Sequence, residues 1–333
     1  MTAPLLEVSN LRVEFPTDIG VVRAVNDVSF SVDRGEVLAV VGESGSGKSV
    51  SAMALMRLLP KTARVFGTAT FAGRDLLTIS ERQMRKVRGD DISMIFQDPM
   101  TALNPVFKVG AQIAEIIEVH RDTSHKAALA RSVELLELVG IPEPRRRADQ
   151  FPHEYSGGMR QRAMIAMAIA NEPKLLIADE PSTALDVTIQ AQVMEAIREA
   201  QRLIGAAMLL ITHDLGLVAG LADRIQVMYG GRVFETSDTD TVFYQNRNPY
   251  TRGLLESLPR LDARTQKKLY TIPGSPPNLL SLPRGCAFRP RCAFADEVCF
   301  EEPDLEPVSP GHLTRCHHAN ELPPLDDRQE VAS

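Results

Sequence analysis

Residues 42–49, Gly42-Glu43-Ser44-Gly45-Ser46-Gly47-Lys48-Ser49, decide how the rest of the chain is read. They fit the phosphate-loop pattern G-x-x-x-x-G-K-[ST]. Residues 36–41, just ahead of them, are predicted as a strand that runs apolar into the glycines, and 49–59 carry apolar residues at helical spacing until Pro60 stops them. Strand, glycine turn and helix therefore follow one another in the order a phosphate cradle needs. Glycines let the backbone curl until its N–H groups point at the anion, aided by the positive end of the helix dipole. Lys48 is placed to pair with β- and γ-phosphates and the Ser49 hydroxyl to ligate magnesium, so all eight residues are candidate nucleotide contacts. A plain glycine-rich turn is the competing reading, and the flanking strand and helix weigh against it.

Working outward, short branched runs at 92–96, 175–178, 208–212 and 225–229 are predicted as buried strands, most of them separated by helical patterns. That alternation predicts an α/β fold with a parallel sheet covered by helices, its ligands gathering at the carboxyl ends of the strands. Nearer the start, Leu6 and Val8, then Val28, Phe30 and Val32, alternate with polar partners and read as a small antiparallel β subdomain. Between 97 and 172 the pattern is almost wholly helical, clearest at 109–119 and 126–139, which predicts an inserted helical subdomain. Proline density rises after residue 245. The expected organisation is a nucleotide-binding domain over 1–245 and a loop-rich C-terminal extension over 246–333.

Composition narrows the partners. With 333 residues, 44% hydrophobic and 24% charged, the chain can bury a sizeable core, so disorder is not the default. A formal charge of -6 argues against nucleic acid, which selects for a clustered basic excess, and Arg145-Arg146-Arg147 reads as a solvated patch. No run approaches the roughly 18 to 20 apolar residues of a membrane-spanning helix, and candidates such as 206–211 are strand-sized. The first twenty residues lack a basic start followed by an apolar core. No secretory signal is expected, and the cytosol is the expected compartment.

At Leu175-Leu176-Ile177-Ala178-Asp179-Glu180 a predicted strand delivers two carboxylates to its carboxyl end. Asp179 is placed to hold magnesium through its water shell and Glu180 to act as the base that polarises the attacking water. Alone this would be a weak signal, since acids often cap strand ends. Beside a phosphate loop it is a strong one.

Tyr155-Ser156-Gly157-Gly158-Met159-Arg160-Gln161-Arg162 opens a helix of alternating Met, Ala and Ile. It resembles the signature motif of the ABC ATPases, with Tyr155 for Leu and Met159 for Gln as departures and the Ser-Gly-Gly core intact. The resemblance implies ATP and Mg2+ as cofactors, and that Ser156, Gly157 and Gly158 reach across a dimer interface to the γ-phosphate held by a partner. It also implies that Gln97 touches magnesium and the nucleophilic water, and that Ala184-Leu185-Asp186 is the loop linking two nucleotide sites, Asp186 acting in trans. His213 matches the switch histidine at the γ-phosphate, and Phe15 is the candidate for stacking on adenine, with Val22 and its neighbours as alternatives. The matching motifs run from about residue 5 to 235. They imply an ABC-type nucleotide-binding domain of the P-loop class.

Asn248-Pro249-Tyr250-Thr251-Arg252-Gly253-Leu254-Leu255 and Gly285-Cys286-Ala287-Phe288-Arg289-Pro290-Arg291-Cys292 look like segments of the dipeptide and oligopeptide branch of ABC importers. All four cysteines, Cys286, Cys292, Cys299 and Cys316, lie in this extension, separated by five, six and sixteen residues. In the dipeptide type such cysteines are associated with a 4Fe–4S cluster. Zinc is the rival, since four thiolates also make a closed site and His312, His317 and His318 stand nearby, although the paired C-x₂₋₄-C of zinc ribbons is missing. Unligated cysteines remain open, and disulfides are disfavoured in the cytosol.

The resemblance implies a peripheral ATPase at the cytoplasmic face of the membrane, driving import of short peptides. Its implied partners are two permease subunits, a second and related ATPase subunit, and an extracytoplasmic solute-binding protein. Alternatives are the same motor importing nickel or another small solute, a soluble ABC ATPase of translation or DNA repair, and a regulatory subunit with a dead site. The last is opposed by the presence of Lys48, Asp179, Glu180 and His213.

Overall fold

The computed structural model describes residues 3–182, 186–258 and 270–322. Its described residues divide into two compact units, one drawn from Met1–Leu5, Val32–Val37 and Thr78–Ile211, the other from Leu6–Ser31, Leu38–Leu77 and Thr212–Ser333.

In the first unit the apolar runs of the sequence become parallel strands. Leu175–Asp179 lies between Ile92–Ile95 and Ala207–Thr212, paired in parallel with each. All three are buried throughout. A parallel strand covered on both faces needs an unbroken apolar sequence, which is why these segments show no alternation.

The longer helices of that unit are Val109–His120, His125–Leu138, Gly157–Ile169 and Val187–Ile204, the first two within one residue of the predicted segments. Ser124, Ser156 and Asp186 cap the last three, each side chain accepting from the backbone N–H three residues on and satisfying a donor the helix leaves orphaned. Arg162 donates to the carbonyls of Val139 and Gly140, closing the end of helix His125–Leu138.

The second unit holds a four-stranded sheet in the order Gly20–Val32, Leu6–Thr17, Arg64–Phe71, Arg74–Asp75. Strand Leu6–Thr17 buries alternate residues, as its sequence predicts. Also in this unit, Val37–Val41 pairs in parallel with Arg224–Tyr229, which continues antiparallel into Arg232–Asp238. The loop-rich extension contributes two further strands, His312–Thr314 against Arg232–Asp238 and Glu306–Ser309 outside it.

The helix after the glycine turn, Lys48–Leu55, ends four residues short of its predicted limit. Arg57 adopts a left-handed φ of 52°, so the helix stops before Pro60.

Candidate nucleotide site

The glycine turn of the second unit is built as its sequence demands. Gly42, Gly45 and Gly47 have φ of 150°, 79° and 101°, a region L side chains rarely enter. A Cβ on Gly42 would drive into the Met228 carbonyl oxygen and one on Gly47 into that of Ala24. The loop therefore lies directly on neighbouring backbone and has no room for side chains at these points.

Lys48 is buried, and its Nζ donates to the carbonyls of Gly42 (2.6 Å) and Glu43 (2.9 Å) and to Ser46 Oγ (3.4 Å). Its ammonium is thus held inside the curl of the loop. Ser46 is buried, Ser44 and Gly45 are exposed, and Ser49 is half-buried in the first turn of the helix. Phe15, the candidate for adenine, is half-buried on strand Leu6–Thr17, and His213 is exposed just past strand Ala207–Thr212.

In the first unit, strand Leu175–Asp179 ends on the buried Asp179. Glu180 follows with φ 46°, a left-handed conformation that costs a non-glycine residue about 1 to 3 kcal/mol and is typical of functional positions. Its N–H donates to the Ile211 carbonyl at 2.8 Å, so the adjoining strand holds the turn. Gln97 Nε2 donates to Glu180 Oε2 at 3.3 Å, bringing together two candidates 83 positions apart in sequence.

Ser156 and Gly157 are exposed at the head of helix Gly157–Ile169, while a Cβ on the half-buried Gly158 would meet Ile189 Cγ2 at 2.9 Å. Tyr155, the departure from Leu, is buried and donates its hydroxyl to the Arg147 carbonyl at 2.9 Å, and burial pushes its pKa up to about 12. Asp186 is exposed at the head of helix Val187–Ile204; Ala184 and Leu185 lie outside the described residues.

The four cysteines converge. Cys286, Cys292, Cys299 and Cys316 line one pocket together with Arg289 and His318. Burial raises all four thiols, Cys292 to about 11 and Cys316 to about 12, and the negative charge of neighbouring sulfurs adds to the rise in both. Beside them, ligand atoms of Asp296, Cys299 and His318 lie within 4.8 Å of one another. His318 is raised by its bond to Glu321 and, less, by Asp296.

Sequence reasoning missed three contributors. Asn248 is buried, caps helix Pro249–Glu256 by accepting from Tyr250 N–H, and donates to the carbonyls of Phe234 and Arg315. Tyr250 in turn accepts from Glu43 N–H at 2.8 Å, and Arg291 forks onto the Glu43 carboxylate. The quoted segments contain all three residues, but no local signal says that Tyr250 and Arg291 meet the glycine turn while Asn248 caps the helix that carries Tyr250.

Residues 25–183 match the family described as ABC transporter, and residues 234–299 match the one described as oligopeptide/dipeptide transporter, C-terminal region. The oligopeptide transport ATP-binding protein OppD of Salmonella typhimurium is 54% identical over 312 residues, covering 94% of this chain and 93% of the relative. The chain belongs to the family of oligopeptide transport ATP-binding proteins. OppD of Bacillus subtilis is 53% identical, with 93% of this chain and 88% of the relative covered.

The fold of this oligopeptide transport ATP-binding family member is that of an ABC ATPase. The dimeric ATP-binding cassette MJ0796, solved in a post-hydrolysis state with ADP and Pi, superposes with a TM-score of 0.63 at 24% identity, over 70% of this chain and 98% of that one. The cassette cbiO1 of Clostridium perfringens, part of the complex cbiONQ, does so with 0.61 at 27%, over 73% and 91%. Among the described residues no helix is long and apolar enough to cross a membrane.

Proposed function

We propose that this chain is the ATP-hydrolysing subunit of an importer of oligopeptides, working at the cytoplasmic face of the membrane. The observation that carries the reading is the continuity of the match with oligopeptide transport ATP-binding proteins through both the cassette and the C-terminal region. Its partners are two membrane-spanning permeases, a related second ATPase subunit and an extracytoplasmic solute-binding protein.

In this reading the backbone of Gly42, Glu43, Ser44, Gly45, Ser46 and Gly47 cradles the triphosphate, and Lys48 exchanges loop carbonyls for β- and γ-phosphate oxygens. Phe15 stacks on adenine. Ser49, Gln97 and Asp179 offer a hydroxyl, an amide and a carboxylate, an all-oxygen set that suits magnesium. Glu180 takes the proton of the attacking water, whose oxygen bonds to the γ-phosphorus as the bond to the ADP oxygen breaks, leaving ADP and phosphate. The Gln97 contact supports this role by orienting the Glu180 carboxylate. His213 contacts the γ-phosphate in the same subunit, and Ser156, Gly157, Gly158 and Asp186 act on nucleotide in the partner, a role the exposure of Ser156 and Asp186 allows.

Cys286, Cys292, Cys299 and Cys316 are proposed to hold a 4Fe–4S cluster. The fit is the donor set: four sulfurs line one pocket, the number a 4Fe–4S cluster takes, and bound iron would hold them as thiolates. The Asp296, Cys299 and His318 grouping favours a second reading, a zinc ion held by mixed ligands.

The test is copurification of the tagged chain from its native membrane. Recovery of permeases, a second ATPase and a binding protein, with ATPase activity raised by added oligopeptide, is the expected result. A chain recovered alone, with activity indifferent to peptide, would overturn the reading.

A further inference from the structure

Glu43 is the second residue of the glycine turn, and the C-terminal region takes hold of it twice. Arg291 Nη1 and Nη2 meet Glu43 Oε2 and Oε1 at 2.5 and 2.9 Å, a bidentate fork across 248 positions of sequence. Tyr250 accepts the Glu43 N–H at 2.8 Å. The Arg291 side chain is 5% exposed and that of Glu43 24%, so this pair is largely withdrawn from water and its geometry is that of a strong charge-assisted contact.

Arg291 is itself held in place. Its Nε donates to the Pro273 carbonyl at 2.8 Å and Nη1 to Tyr229 Oη at 3.2 Å. Its backbone N–H donates to Phe288, whose ring packs at 5.3 Å from Tyr229 and 5.2 Å from Tyr250. The next residue along the chain is Cys292, one wall of the cysteine pocket. The short turn Arg289–Arg291 presents a guanidinium to the phosphate loop, and Cys292, which ends it, presents a sulfur to that pocket.

At the other end of the chain of contacts, the Glu43 carbonyl is a partner of Lys48 Nζ. Nucleotide binding has to draw Lys48 from this carbonyl toward phosphate, so the orientation of the Glu43 peptide enters the binding equilibrium directly. A fork on the carboxylate of that same residue biases the orientation.

We propose that Arg291 is a positioning residue, through which the four-cysteine segment sets the conformation of the phosphate loop and hence its affinity for magnesium nucleotide. The inference rests on the ATPase reading above but adds a linkage that reading does not require. Ordering of the cysteine segment fixes Arg291, Arg291 fixes Glu43, and Glu43 presents the loop to phosphate in one arrangement. By reciprocity, bound nucleotide stabilises the cysteine segment to the same degree.

The experiment is a double-mutant cycle on the full chain, read as dissociation constants for Mg-ATP and Mg-ADP, with a thermal melt of each variant alongside. Arg291→Gln and Glu43→Gln are each expected to weaken binding roughly tenfold, within the about 5- to 150-fold common for coupled sites, and the double variant no more than the weaker single one. Cys292→Ser is expected to weaken binding in the wild-type background and to add nothing once Arg291 is Gln. Wild-type affinity in Glu43→Gln, multiplying losses in the double variant, or an equal Cys292→Ser effect in both backgrounds overturns the proposal. If Arg291→Gln does not fold, Glu43→Gln against Arg291→Lys, which keeps the charge and loses the fork, completes the cycle under the same criteria. Lys48→Ala separates the two levels: its loss of binding beside unaffected Arg291 and Glu43 variants removes this linkage and leaves the ATPase reading standing, whereas a wild-type chain that binds no nucleotide sinks both.

Discussion

Gln97 Nε2 stands 3.3 Å from Glu180 Oε2, so the amide that follows one parallel strand is hydrogen-bonded to the carboxylate that follows its neighbour. The contact exists because strands Ile92–Ile95 and Leu175–Asp179 run side by side in the same direction and end together. Glu180 is held in a left-handed backbone conformation at that point, and its N–H is tied to Ile211. Glu180→Gln keeps the shape of the side chain and its ability to bond Gln97 but cannot accept a proton. Nucleotide binding should persist while phosphate release falls by roughly 10² to 10⁴, the range for loss of a general base. Undiminished turnover in a phosphate-release assay would remove Glu180 from the reaction.

Lys48 is expected to dominate affinity. Its ammonium is buried against the Gly42 and Glu43 carbonyls, which holds a cation inside the loop. Lys48→Ala removes that charge and should reduce ATP binding at least tenfold, about 1.4 kcal/mol or more, by calorimetry. Retained affinity would place the phosphates elsewhere.

The cysteine pocket can be assayed directly. Protein purified without oxygen should contain iron and acid-labile sulfide and absorb broadly in the visible, and Cys299→Ser should remove both signals, since it takes away one of the four sulfurs that line the pocket. Metal analysis that returns zinc in place of iron would select the mixed-ligand grouping around Asp296 and His318.

Asn248→Ala should destabilise the C-terminal region without touching nucleotide chemistry. It removes a helix cap, worth about 1 kcal/mol, and takes a donor from the Arg315 carbonyl, worth about 1 to 3 kcal/mol more for a buried group, while the Phe234 carbonyl keeps Arg315 N–H and Thr314. The expected outcome is a melting transition lowered by several degrees. An unchanged melt would show that water replaces the amide at no cost.

Much of this molecule is legible in its residues one stretch at a time. The glycine turn, the apolar strands and the acids at their ends follow from rules that act over a few positions: left-handed φ needs glycine, doubly covered strands need unbroken apolar runs, and polar residues mark where such strands emerge. Gly42 and Gly47, strand Leu175–Asp179, Asp179 and Glu180 are of this kind. Helix ends are less so, because the left-handed Arg57 stops helix Lys48–Leu55 where composition alone would carry it on.

Other features exist only once distant segments meet. Strands His312–Thr314 and Glu306–Ser309 are too short for a periodic signal; the edge of Arg232–Asp238 orders the first, and the first orders the second. Tyr155 is buried with its hydroxyl satisfied because the Arg147 carbonyl, eight positions back, accepts it. The fork from Arg291 to Glu43 joins two ordinary charged residues 248 positions apart. A charge in a sequence has no partner until folding supplies one, so the chemistry of the phosphate loop could be read from its own eight residues, whereas what holds that loop in place was decided by tertiary structure.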